Sequence, residues 1–195
     1  MSELTLTAGH TEQEFEQPPL GENNAVLVDI ILSKGEETKH GVKNVLYFYF
    51  ELEAKMNDGR PFLARKKFNY SLNENSNLYK FLTKWRGKPF KNGEAVDLSA
   101  MLGTGCVLEI EPWTPEGSDK TLHLVDRARK LAKKDWPKAS GQYDGDKVRE
   151  RIEARKAEQG GAPAPAPQPQ PAAKAEEQKG GGYSKTFNED DDIPF

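Results

Sequence analysis

Aromatic and cationic side chains alternate along two neighbouring runs of this chain. In "VLYFYFELEA", Leu46, Phe48, Phe50 and Leu52 fall on one side, and Val45, Tyr47, Tyr49 and Glu51 on the other, because adjacent side chains of a strand point to opposite faces. If the first set fills a core, Tyr47 and Tyr49 face outward. The turn "MNDGR" leads into "PFLARKKFNY". A three-residue loop over positions 57–59 places Arg65 and Lys67 beside the tyrosines and puts Phe62, Ala64 and Phe68 inside. A two-residue loop would reverse those faces and bury both cations, which is expensive without partners. Under the accepted register Lys66 points inward and needs a barrel mouth or a bulge to escape. Flat aromatic faces stack on unpaired bases, and Lys or Arg holds the phosphates between them. The same residues also suit ordinary strand packing and a solvated face.

Further candidates lie downstream. Trp113, at a hairpin end, is a second stacking residue, and Arg127, Arg129 and Lys130 open a basic run that continues as "RARKLAKKDWPK". Trp136 in that run suits either stacking or docking on the body of the domain. The ssDNA-binding set is therefore Tyr47, Tyr49, Arg65, Lys67, Trp113, Arg127, Arg129 and Lys130. Charge supports it: residues 60–134 carry fifteen Lys or Arg against eight Asp or Glu, whereas residues 1–30 carry six acids and no Lys or Arg. The net charge of -3 conceals this division.

Catalysis has little support. His10, His40 and His123 show no metal-ligand spacing, and no phosphate loop or nucleophile motif is present. His123 alternates with Leu122 and Leu124 and is expected to face out without a role. The single Cys106 precludes an internal disulfide and reads as a small buried thiol. No enzyme activity, cofactor or metal is expected. The N-terminal sequence lacks a basic end followed by an apolar run, and no apolar stretch reaches membrane-spanning length, so the expected location is the cytoplasm.

The elements that would position these residues read as strand, strand, strand, helix, strand, strand. "AVLVDIILS" is the first strand. The helix shows Ser71 and Glu74 as a capping box, an apolar stripe of Leu78, Phe81, Leu82 and Trp85, and a stop at Gly87 and Pro89. "DLSAMLG" makes a short helical turn, and "CVLEIEPW" pairs with "TLHLVDRA". This order predicts an all-β domain, a five-stranded OB-fold barrel with one helix between strands 3 and 4; other small barrels and α+β sandwiches share the same order, since a sequence does not show closure. The expected layout is an acidic flexible arm over 1–22, the OB-fold over 23–138 and a charged extension over 139–158 that can form a short helix. A Pro/Ala/Gly-rich disordered linker over 159–187 and an acidic tip over 188–195 complete it. A mean hydropathy of -0.81 agrees with a chain that is only partly folded.

The chain finishes on "NEDDDIPF". Asp190, Asp191, Asp192, Ile193, Pro194 and Phe195, after a Pro/Gly/Gln-rich linker, resemble the tip of bacterial single-stranded DNA-binding proteins. The stretches "YSLNENSNLYKFLTKWRGKPF" and "VDLSAMLGTGCVLEIEP", within residues 25–130, look like small barrel proteins of phages and mobile elements classed as single-strand binders. The "N-x-V-x-L-x-G" opening of the chromosomal members is absent, so their homotetramer and contact residues are not carried over. The resemblance implies a protein that coats single-stranded DNA in replication and recombination. It also implies that residues 190–195 recruit replication and repair proteins of a bacterial host or phage. The alternative is a non-enzymatic adaptor of the replication machinery. Either is compatible with a homo-oligomer and requires no membrane.

Overall fold

In a computed structural model of the chain, residues 16–38 and 41–158 are described. Five strands, β1 (Gly21–Thr38), β2 (Gly41–Lys55), β3 (Pro61–Asn69), β4 (Gly105–Trp113) and β5 (Leu122–Lys130), form one antiparallel sheet in the order β3-β2-β1-β4-β5. Helix α1 (Asn77–Arg86) joins β3 to β4, and α2 (Gly145–Glu158) follows β5. The fold is thus mostly β, as the sequence predicts.

Alternation decides the core. Ala25 and Leu27 of β1, Leu46, Phe48, Phe50 and Leu52 of β2, and Phe62, Ala64 and Phe68 of β3 are buried with the α1 stripe of Leu78, Phe81, Leu82 and Trp85. Full burial of a Leu or Phe side chain contributes about 1.5–3 kcal/mol relative to exposure. Cys106, Leu108, Ile110, Val125 and Ala128 complete the core from β4 and β5. Burial pushes the Cys106 thiol well above its ordinary pKa.

Helix α1 begins later than the sequence suggests. Its cap is Ser76, whose Oγ accepts from the Tyr79 N–H at 3.1 Å. Residues 71–76 are already committed to turns: the Asn73 side chain accepts from the Asn75 N–H and the Asn73 carbonyl from the Ser76 N–H. The box at Ser71 and Glu74 therefore does not form, because Asn73 organises a competing turn. The stop is as expected, with Gly87 at φ 80° and its N–H bonded to the Thr83 carbonyl.

The β2–β3 turn has the three-residue loop. Met56 N–H bonds to the Arg60 carbonyl, and Tyr49 lies opposite Arg65 and Tyr47 opposite Lys67. Gly59, at φ 84°, takes the left-handed position the turn requires.

The hydrogen-bonded ladder does not close into a full barrel among the described residues; β3 and β5 are its edges. Lys66 crosses this seam. Its Nζ donates to the carbonyls of Val125 and Asp126, the latter at 3.0 Å. Asp126 is the extra residue where the β4–β5 register shifts between Glu109 and Ile110, so the bulge offers carbonyls to a side chain from the other edge. Burial lowers the Lys66 pKa from its ordinary value, against the opposing pull of Asp126 and Glu111.

Candidate nucleic-acid interface

The structure divides seven of the eight expected contact residues between two outer faces and leaves Lys130 on neither. Tyr47, Tyr49, Arg65 and Lys67 do share the outer side of β2–β3, opposite the core. The tyrosines are not open, however: Tyr47 is 3 % exposed and Tyr49 5 %. They belong to a second apolar cluster with Ile31, Val45 and Ile152, against which Val28, Tyr143 and Val148 pack. The expectation of exposed stacking rings here is therefore corrected. Alternation gave the right side of the sheet but could not show that α2 and its leading segment cover it.

That cover is held by polar anchors as much as by apolar ones. Tyr143 Oη donates to Asp29 at 3.0 Å, and Arg149 reaches both Asp29 oxygens at 2.9 and 3.0 Å. Ser140 donates from its backbone N–H and its hydroxyl to Glu51 at 2.6 and 2.9 Å. Asp29 and Glu51 are both buried, so these bonds replace the water each carboxylate gives up. Trp136 also docks: a Cβ added at Gly105 would meet its ring at 2.5 Å, and its Nε1 donates to the Leu131 carbonyl at 3.0 Å. Docking, and not stacking in solvent, is what this ring does.

At the rim of the covered face, Arg65 and Lys67 lie over the Tyr47 ring at 5.2 and 5.5 Å from its centroid. Lys67 also pairs with Glu36, and Tyr47 Oη donates to both Glu36 oxygens at 2.7 Å. Burial pulls the Glu36 carboxyl up, but the bonds from Lys67 and Tyr47 outweigh it and hold the group below its ordinary pKa. Burial, followed by the Glu36 carboxylate, drives the Tyr47 phenol upward.

The other face is open. On the outer side of β4–β5, Trp113 pairs with Leu122, Glu111 with Leu124, Glu109 with Arg127 and Val107 with Arg129. Trp113 is 50 % exposed, and Leu122 and Leu124 are exposed beside it. These two leucines were missed as site residues; their alternation around His123 was the signal that places them with Trp113. Arg127 forks onto Glu109, with Nη2 to Oε1 at 2.7 Å, and Arg129 pairs with Glu22. The Arg127 hydrogen bond holds Glu109 below the ordinary carboxylate range. Lys130 lies opposite Cys106 on the alternate, core-side register, but is itself exposed at the strand end.

His123 is not the idle surface residue expected. Its Nδ1 lies 2.6 Å from the Pro18 carbonyl, while its backbone N–H donates to Gln17 Oε1 at 2.8 Å. Gln17 in turn donates to the Thr121 carbonyl at 2.9 Å, and Glu16 accepts from Asn57 at 2.8 and 2.9 Å. The segment just before β1 is thereby tied across the sheet, which a reading of residues 1–22 as one loose arm did not anticipate.

Asp190, Asp191, Asp192, Ile193, Pro194 and Phe195, together with the expected linker, lie outside the described residues. Among the described residues no group of three or more His, Cys, Asp or Glu is placed to hold a metal ion, and no helix is long and apolar enough to cross a membrane. No protein-family model and no curated protein matches the chain.

Proposed function

We propose that this chain is a non-enzymatic single-stranded DNA-binding protein that coats strands exposed during replication, recombination and repair in a bacterial cell. The observation that carries the proposal is the open outer face of β4–β5, where half-exposed Trp113 lies with Leu122 and Leu124 beside Arg127 and Arg129. Such a surface offers a stacking platform for bases next to cations for phosphates. The strand order supports it. A first strand flanked by the second and fourth, with a helix between the third and fourth, fits an OB-fold whose seam lies between β3 and β5. A fold hosts many functions, so this topology is support by analogy and the surface chemistry is the firmer ground.

Residues 190–195 complete the proposal as a docking handle for replication and repair proteins. Ile193 and Phe195 would enter an apolar pocket, and Asp190, Asp191 and Asp192 would steer the handle to a basic partner. Removing residues 193–195 is expected to leave strand binding intact and to abolish capture of bacterial replication and repair proteins.

The test of strand binding is a titration of labelled oligothymidylate, against a duplex of equal length, at several salt concentrations. Tighter binding to the single strand, weakening as salt rises, is expected. Equal or weaker binding than to duplex, or salt-independent binding, overturns the proposal. The same Trp113, Leu122 and Leu124 patch favours one other reading, an adaptor that docks a protein there. An adaptor would bind neither nucleic acid.

A further inference from the structure

A cleft of about 270 Å³ opens where β3, α1 and β5 meet, on the seam that the sheet leaves between its edges. Lys66 and Lys67 from β3, Lys80 and Lys84 from α1, and Arg127 from β5 line it, with Asp126 as the one acid among the described residues. Lys67 already pairs with Glu36, Arg127 with Glu109, and Lys66 donates to two carbonyls. Lys80 and Lys84 are different. Both are exposed, and among the described residues neither ammonium forms a salt bridge or hydrogen bond, although Lys84 is close enough for its charge to act on the Glu109 carboxylate.

Their spacing makes this notable. Residues four apart on a helix stand one above the other, about 5–6 Å between Cβ atoms, and like charges so placed destabilise the helix. The helix could have relieved that repulsion with a glutamate at either place; instead both cations face the same cleft as Lys66 and Arg127. A run of anions at comparable spacing would relieve it. Arg127 belongs both to this cleft and to the outer face of β5 that carries Leu122 and Leu124 opposite Trp113 and Glu111. The stacking platform and the cleft are therefore continuous through one residue.

The geometry points to the β3–α1–β5 cleft as a phosphodiester-binding track, in which Lys80 and Lys84 hold consecutive phosphates of the strand that stacks on Trp113. The inference rests on the single-strand reading above and extends it around the seam, to residues on α1 that lie outside the strand faces. Lys66, fixed across the seam by its two carbonyl bonds, adds charge to the cleft without needing to move. The phosphates are those of a polymer, because the cations are strung along a helix face and not gathered around one point.

The experiment compares the full chain with the double variant Lys80→Ala and Lys84→Ala in oligothymidylate titrations from low to high salt. Each phosphate contact on a single strand adds about 0.7 to the slope of log affinity against log salt, so losing two should flatten it by about 1.4. The same relation gives an affinity loss on the order of tenfold or more at 0.1 M salt. Alanine is a strong helix former, so an unchanged unfolding midpoint should accompany the loss. Lys80→Arg with Lys84→Arg should keep both affinity and slope. A wild-type protein that binds single strands, with an alanine variant of equal affinity and slope, overturns the track and leaves the single-strand reading standing. A wild-type protein that binds no single strand overturns both.

Discussion

Glu36 holds the cationic rim of the β2–β3 face together, receiving Tyr47 Oη at 2.7 Å and the Lys67 ammonium. Its pKa is below the ordinary 4.5 in the folded protein, so the folded state binds fewer protons at this group than the unfolded chain does. The sign follows: the stability it contributes is full above about pH 4.5 and is lost as pH falls through the lower folded value. Glu36→Gln should therefore be less stable than the wild type in denaturant titrations near neutrality, and the gap should narrow on acidification below pH 4.5. A gap that stays constant into acid would show that the carboxylate charge does nothing there. The alternation that puts Tyr47, Arg65 and Lys67 on one side was legible in the sequence. Glu36 was not, because it comes from the far end of β1, beyond the expected strand "AVLVDIILS", and only the β1–β2 ladder brings it opposite Lys43 and next to Tyr47.

Helix α2 shows why an element can be readable while its role is not. Residues 145–158 offer Val148 and Ile152 as the only large aliphatic positions, and short charged helices of this kind are marginal in water by themselves. Docking supplies what propensity lacks. Ile152 is buried in the tyrosine cluster, Arg149 closes on Asp29, and Ser140 and Tyr143 fix the approach to the helix. No local pattern announces such a contact, since the partners lie more than eighty residues apart. Ile152→Ala is expected to lower unfolding free energy by about 2 kcal/mol, at the low end for a buried Ile because the cluster is small. It should also raise solvent quenching of tyrosine emission before the main transition. No change in stability would mean that α2 is not seated on the sheet. By contrast, the three-residue β2–β3 loop and the α1 stripe follow from short-range rules and are found as the sequence predicts.

Over the whole molecule, charge and topology meet at one seam. The sheet leaves β3 and β5 as edges, Lys66 bridges them, and the basic residues of the middle of the chain collect on both sides of the gap. The sequence exposes the charge excess of residues 60–134 but not its placement. Arg129 is paired with Glu22 and Arg127 with Glu109, while Lys80 and Lys84, which form no salt bridge among the described residues, stand on a helix that a reading of strand faces passes over. It likewise assigns base stacking to two tyrosines that α2 covers, which leaves Trp113 as the open ring of the expected set. Because Trp85 is buried in the core and Trp136 is docked on Gly105, Trp113 is the indole a bound strand can reach directly. Trp113→Ala should weaken binding by about 1–3 kcal/mol, the range for one stacked base. The most direct measurement is tryptophan emission during oligothymidylate titration of the wild type and of Trp113→Phe. Saturable quenching in the wild type that disappears in Trp113→Phe is the predicted result; no quenching at all, or the same quenching in both proteins, would contradict the single-strand reading of this face.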